Sequence, residues 1–253
     1  MMPVIFVGHG SPMNAIEENK YSKGWRELAR TFERPTAILC ISAHWVTNKT
    51  LVSTLENPKT IHDFYGFPQE LFDIEYPAKG DIETAGKALE LLKGIATADT
   101  SWGLDHGAWS VLRIMYPEAD IPVFQVSLND NASSKEHFEI GKRLKALREE
   151  NVLIIGSGNV VHNLRMIDFS LDDGFDWAYE FNEHIVDRIQ KRDFESVMKY
   201  NDLGRSAKLA VPTSEHFNPL LYILGAANES DELGIFNNDY VAGSLSMTSF
   251  VFS

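Results

Sequence analysis

Apolar residues along this chain fall into short runs rich in Val and Ile, separated by longer amphipathic stretches. Residues 4–7, 37–41, 121–128 and 152–155 have the make-up of strands covered on both faces. Residues 21–32 place Trp25, Leu28, Ala29 and Phe32 at helical spacing, and residues 82–92, 134–150, 177–190 and 219–226 also read as helices. Ser133 is the predicted N-cap of the 134–150 helix, with Glu136 completing a capping box. Residues 241–252 read as a final strand. Buried strands alternating with helices predict an α/β fold: a single domain over residues 1–253, with a central mostly parallel or mixed sheet flanked by helices. No Gly/Pro-rich linker or internal repeat interrupts it. Ligands of such sheets bind at the carboxyl ends of the strands.

Composition narrows the function classes. A chain of 253 residues with 44% hydrophobic and 23% charged residues can build its own core, which excludes a disordered chain. A net charge of -13 disfavours nucleic acid and anionic membrane surfaces as partners. The one cysteine, Cys40, rules out an internal disulfide or a Cys-based zinc ribbon, and its place mid-strand reads as a small buried hydrophobe. The first residues lack the basic and apolar regions of a signal peptide, and no apolar run reaches membrane-spanning length, so a cytoplasmic location is expected.

Candidate chemistry concentrates on histidine. The strand at 4–7 runs into Gly8-His9-Gly10-Ser11-Pro12, and the strand at 37–41 into Ser42-Ala43-His44-Trp45. The strand at 152–155 runs into Gly156-Ser157-Gly158-Asn159-Val160-Val161-His162-Asn163. His62, His106 and His216 lie in loop-like segments. His137 and His184 fall inside amphipathic helices and are expected at the helix surface or core edge. One strand-end histidine is ordinarily a loop residue bonded to a carbonyl. Three delivered to one crevice point to a metal site at the strand carboxyl ends, with His9 and His44 at its centre. All-histidine ligation suits zinc, iron(II), copper or nickel, and a nearby carboxylate such as Glu215, beside His216, would favour non-haem iron. Neutral imidazoles leave the metal's charge uncompensated, which would draw an anion such as a catecholate. No P-loop, H-E-x-x-H or G-x-S-x-G motif is present, and Gly156-Ser157-Gly158 lacks the third glycine of a dinucleotide fingerprint.

Six ordered motifs then carry a resemblance. They are Gly8-His-Gly-Ser-Pro12-Met-Asn, Ser42-Ala-His-Trp45, Thr60-Ile-His-Asp-Phe64 with Gly66-Phe-Pro68, Asp105-His-Gly107 with Trp109, Ser157-Gly-Asn-Val-Val-His-Asn163 and Gly243-Ser-Leu-Ser-Met247. From about residue 3 to residue 250 the chain resembles the class III extradiol ring-cleavage dioxygenases, in the branch of 4,5-DOPA dioxygenase type. The resemblance implies that His9 and His44 match two metal ligands, and that His162 and His216 can complete a four-histidine zinc site. His162 also resembles the acid–base histidine of the wider family, and His106 the histidine near the oxygen site. Either Glu215 or His216 stands where distant relatives place a ligating glutamate. The implied partners are a small aromatic catechol and O2, with Fe(II) for catalysis and Zn(II) as the copurifying or resident metal.

Coordination sharpens this expectation. A closed four-histidine site leaves no room for a catecholate and O2, so His162 would leave the metal, or never bind iron, and act as base, with His9, His44 and His216 as ligands. His106 would stabilise charge at the oxygen site. His62, Trp45, Phe64, Tyr65 and Trp109 are the candidates for the substrate pocket. Two other classes remain open at this point: a zinc-dependent hydrolase, and a non-catalytic zinc-binding relative using the same crevice.

Overall fold

Alternate side chains of each central strand enter different cores, which is why the body of these strands is apolar on both faces. In β1 (Val4–Gly8), Val4 and Phe6 join the core on one face of the sheet, while Ile5 and Val7 join the core on the other. In β2 (Ala37–Ser42), Ala37, Leu39 and Ile41 separate from Ile38 in the same way. The sheet is completed by β3 (Val123–Gln125), β4 (Val152–Gly158), β5 (Leu233–Phe236) and β6 (Ser249–Phe252), in the order β3-β2-β4-β1-β6-β5. The computed structural model describes residues 1–253. Strands β3, β2, β4 and β1 are parallel, and β6 pairs antiparallel with both β1 and β5. The sheet is therefore mixed, with a parallel centre, as expected.

Helices α1 (Lys20–Leu28), α2 (Ile82–Leu91), α3 (His106–Met115), α4 (Ser134–Leu144), α5 (Asp176–Gln190) and α6 (Asn218–Ala226) cover it. Trp25 of α1 and Trp109 of α3 fill one core; Ile140 and Leu144 of α4, Phe181 of α5 and the apolar side chains of α6 fill the other. The capping box at Ser133 and Glu136 is formed.

Three expectations need correction. The helix expected over 134–150 is α-helical only to Leu144 and then tightens into a 3-10 helix, Lys145–Glu150, ended by Asn151 at φ 61°. The strand expected over 121–128 stops at Gln125. The Ser127 N–H then turns to the Leu51 carbonyl, and Leu128–Asn129 pairs with Val46–Thr47 instead. The tail over 241–252 is interrupted: Tyr240–Val241 folds back on Leu245–Ser246 through Ala242 and Gly243, both at positive φ, before β6 begins. A further departure is His137, which is 1% exposed, with Nδ1 3.2 Å from the Tyr222 hydroxyl. It shares one face of α4 with Ile140, Gly141 and Leu144, the spacing of a helix stripe packed on α6.

The parallel centre places the ends of β1, β2 and β4 along one edge, with Gly8 level with Gly158 and Ser42 level with Ser157. Close backbone approach holds the next layer to that edge. A Cβ on Gly158 would lie 2.1 Å from the His216 carbonyl oxygen, and one on Gly8 would lie 2.6 Å from the Met247 carbonyl carbon. Gly158→Ala is expected to lower stability by about 1–3 kcal/mol through overpacking and to displace His216. Thermal melting beside zinc titration measures both; unchanged melting and affinity would refute the tight fit.

Candidate active site

Three histidines beyond these strand ends meet in space. His9 follows β1, His44 follows β2, and His216 precedes α6 by two residues. The His9 ring lies 5.1 Å from that of His44 and 5.3 Å from that of His216, and the His44 and His216 centroids are 5.1 Å apart.

An oxygen fixes the Nδ1 side of each ring. Ser157 Oγ gives its one proton to the Gly107 carbonyl at 2.6 Å, so it accepts from His9 Nδ1 at 2.9 Å. Asp63 Oδ2 lies 3.2 Å from His44 Nδ1. Glu215 Oε1 accepts from His216 Nδ1 at 3.0 Å and from the Thr213 hydroxyl at 2.9 Å. Each Nδ1 therefore carries the proton, and each Nε2 keeps a free lone pair. This is how proteins orient metal-binding histidines. His9 Nε2 and His44 Nε2 face each other at 3.3 Å. Two nitrogens about 2.0–2.1 Å from one tetrahedral zinc would stand about 3.3 Å apart, so the donors fit such an ion.

Electrostatics agree with that role. Burial pushes the His9 and His216 imidazoles well below their ordinary pKa, and the neighbouring histidines push in the same direction. Both are neutral at physiological pH, as ligation requires. Burial works against ionisation of Asp63, but contacts from His106 and His44 outweigh it and hold that carboxyl far below its usual range.

His106 opens α3, whose N-cap is Asp105. Its ring centroid is 3.9 Å from that of His44, and one of its nitrogens falls within 4.8 Å of one from each of His9 and His44. His162 lies flat on His216, with 3.4 Å between centroids and 6° between planes. The ligand atoms of His162, Glu215 and His216 lie within 4.8 Å of one another, so a second group able to hold an ion stands beside that of His9, His44 and His106. Burial chiefly lowers the His162 pKa to about 4, with Glu215 acting against it and His44 and His106 adding to it.

The pocket candidates divide. Phe64 stands edge-on to His106 at 5.5 Å. His62 lies behind it, its Nε2 3.0 Å from the Ile74 carbonyl oxygen and its ring against Phe64, Phe72 and Trp109. Trp45 is buried and stacks on Trp102. Two expectations are corrected. Trp109 has no exposed surface and donates its indole N–H to the Ile61 carbonyl, so it is a core residue. Tyr65 is 92% exposed, so its ring lies in solvent rather than in an enclosed aromatic wall. Sequence reasoning missed Ser157 and Asp63. Both stood inside quoted motifs, but only contact shows that they hold His9 and His44.

Residues 3–251 match the family described as the catalytic LigB subunit of aromatic ring-opening dioxygenase. The chain belongs to that family. This LigB-family chain is 44% identical over 254 residues to a 4,5-DOPA dioxygenase extradiol of Escherichia coli (strain K12), covering 98% of this chain and 93% of that one. It is 39% identical over 256 residues to the Beta vulgaris protein of the same name, covering 98% and 95%. It also superposes on the crystal structure of an uncharacterized protein from Escherichia coli K12 with TM-score 0.88 and 39% identity, covering all of both chains. The LigB-family chain is thus a metal-dependent ring-opening dioxygenase acting on an aromatic substrate with O2, and the hydrolase and binding-only readings fall away. No helix is long and apolar enough to cross a membrane.

Proposed function

We propose that the enzyme opens a catechol ring of 4,5-DOPA type in the extradiol manner, with iron(II) held by Nε2 of His9, His44 and His216. The observation that carries this reading is the fixing of each of these rings at Nδ1 by an oxygen. Relatives named 4,5-DOPA dioxygenase extradiol support the substrate class. When bound, iron(II) would supply open positions for both catechol oxygens and an electron for O2. His162, neutral at physiological pH and stacked on His216, takes the second catechol proton in this reading and later returns it. His106 donates a hydrogen bond to the oxygen side of the substrate, and Phe64 forms an aromatic wall next to it. A cytoplasmic setting, where iron(II) and the buried Cys40 thiol stay reduced, suits this chemistry.

The test compares metals. Zinc outcompetes iron(II) at nitrogen sites and can copurify, but it has no redox chemistry. Oxygen uptake with a catechol is expected from protein loaded anaerobically with iron(II), and none from zinc-loaded protein. Equal ring cleavage with both metals would overturn the dioxygenase mechanism.

A further inference from the structure

We infer that Asp63 is a positioning residue that joins a metal-ligating histidine, His44, to the second catalytic histidine, His106, through one carboxylate. The inference rests on the function proposed above. Asp63 Oδ2 lies 3.2 Å from His44 Nδ1, and Oδ1 lies 3.0 Å from His106 Nδ1. The same Oδ1 accepts the His106 backbone N–H at 2.8 Å, which pins the first turn of α3. The His106 ring N–H is poorly aligned for a hydrogen bond, so its attraction to the carboxylate is mainly electrostatic.

An ionised carboxylate only accepts hydrogen bonds, so a lone pair on either Nδ1 would face repulsion at these distances. The proton is therefore held on Nδ1 of both rings. That frees Nε2 of both rings, and one nitrogen from each of His9, His44 and His106 lies within 4.8 Å of the others. The carboxylate also fixes the orientation of the His44 ring as a ligand. Because one side chain sets both rings, the spacing between the ligand and the catalytic donor is fixed by a single group.

The Asp63 loop is held independently of this carboxylate. Ile61 N–H donates to the Leu104 carbonyl at 2.7 Å, Leu104 N–H to the Lys59 carbonyl at 2.8 Å, and the Trp109 indole to the Ile61 carbonyl at 2.9 Å. Asp63→Asn should therefore fold. The amide offers one acceptor and one donor where two acceptors stood, so at least one ring must change tautomer or turn away.

Isotope-labelled histidine NMR of the metal-free protein reads the tautomers directly. Wild type is expected to show the Nδ1–H form at His44 and His106, and Asp63→Asn to shift at least one of them toward Nε2–H. Chelator competition is expected to show zinc affinity about 10–100-fold weaker in the variant. At saturating iron(II), kcat should fall more than KM changes. Unchanged tautomers and affinity, with or without a lower melting temperature, would overturn the inference and leave Asp63 a purely structural residue. Failure of the proposed function would appear differently, as wild-type protein that binds zinc yet opens no catechol ring when iron-loaded. In that case the tautomer comparison would still decide the role of Asp63.

Discussion

His9→Ala and His44→Ala proteins are expected to fold, to bind zinc and iron(II) more than about 100-fold more weakly than wild type, and to lose ring opening. Loss of a partner that merely orients a ligand typically costs about 10–100-fold in affinity, and loss of the ligand itself should exceed that. Folding should survive because these rings stabilise the metal-free state little. His9 is 2% exposed, and its Nε2 faces that of His44 at 3.3 Å. Without a cation, two lone pairs facing each other at that distance repel. Removing one ring relieves this, so the metal-free variants should melt close to metal-free wild type. Metal analysis after dialysis and thermal melting with and without zinc are the measurements. Full metal occupancy in both variants would refute the site, and unfolding of both would show that the rings serve the core instead.

His162→Gln is expected to retain iron and catechol binding while turnover falls by about 10²–10⁴-fold, the usual contribution of a positioned general base. Glutamine keeps a polar group of similar reach but cannot accept a proton near neutral pH. The His162 ring stacks on that of His216, with 6° between planes and 3.4 Å between centroids. Iron content, anaerobic catechol titration and single-turnover rates under O2 separate binding from chemistry. Loss of iron would place His162 among the ligands and leave His106 as the base. Near-normal turnover with iron retained would remove His162 from the mechanism.

Much of this enzyme was legible from local pattern. The apolar runs at 4–7, 37–41 and 152–155 are the three adjacent parallel strands β1, β2 and β4, and His9 and His44 follow two of them directly. Strand ends on a parallel edge converge whatever the intervening helices do, so short-range sequence was enough to locate the crevice. The capping box at Ser133 and Glu136 is likewise local and formed as read.

The departures come both from local turns and from long-range contact. Residues 121–128 and 241–252 look apolar enough for unbroken strands, but Leu128–Asn129 and Tyr240–Val241 find partners outside the main sheet. His137, expected at the helix surface or core edge, is buried where α6 covers its face of α4. Trp109 and Tyr65 sit close to the motif histidines in sequence, yet packing sends one fully inside and the other into solvent. The carboxylate of Asp63 reaches His106 across 43 residues, and the hydroxyl of Ser157 reaches His9 across 148. The sequence by itself determined which residue types could bind a metal and which strands would present them. Only the tertiary structure decided which imidazoles meet, which pair stacks, and which ring nitrogen faces an oxygen. For His9 and His106 those outcomes depend on hydrogen bonds and ion contacts between segments that no pattern along the chain brings together, whereas His216 takes its partner from the adjacent Glu215.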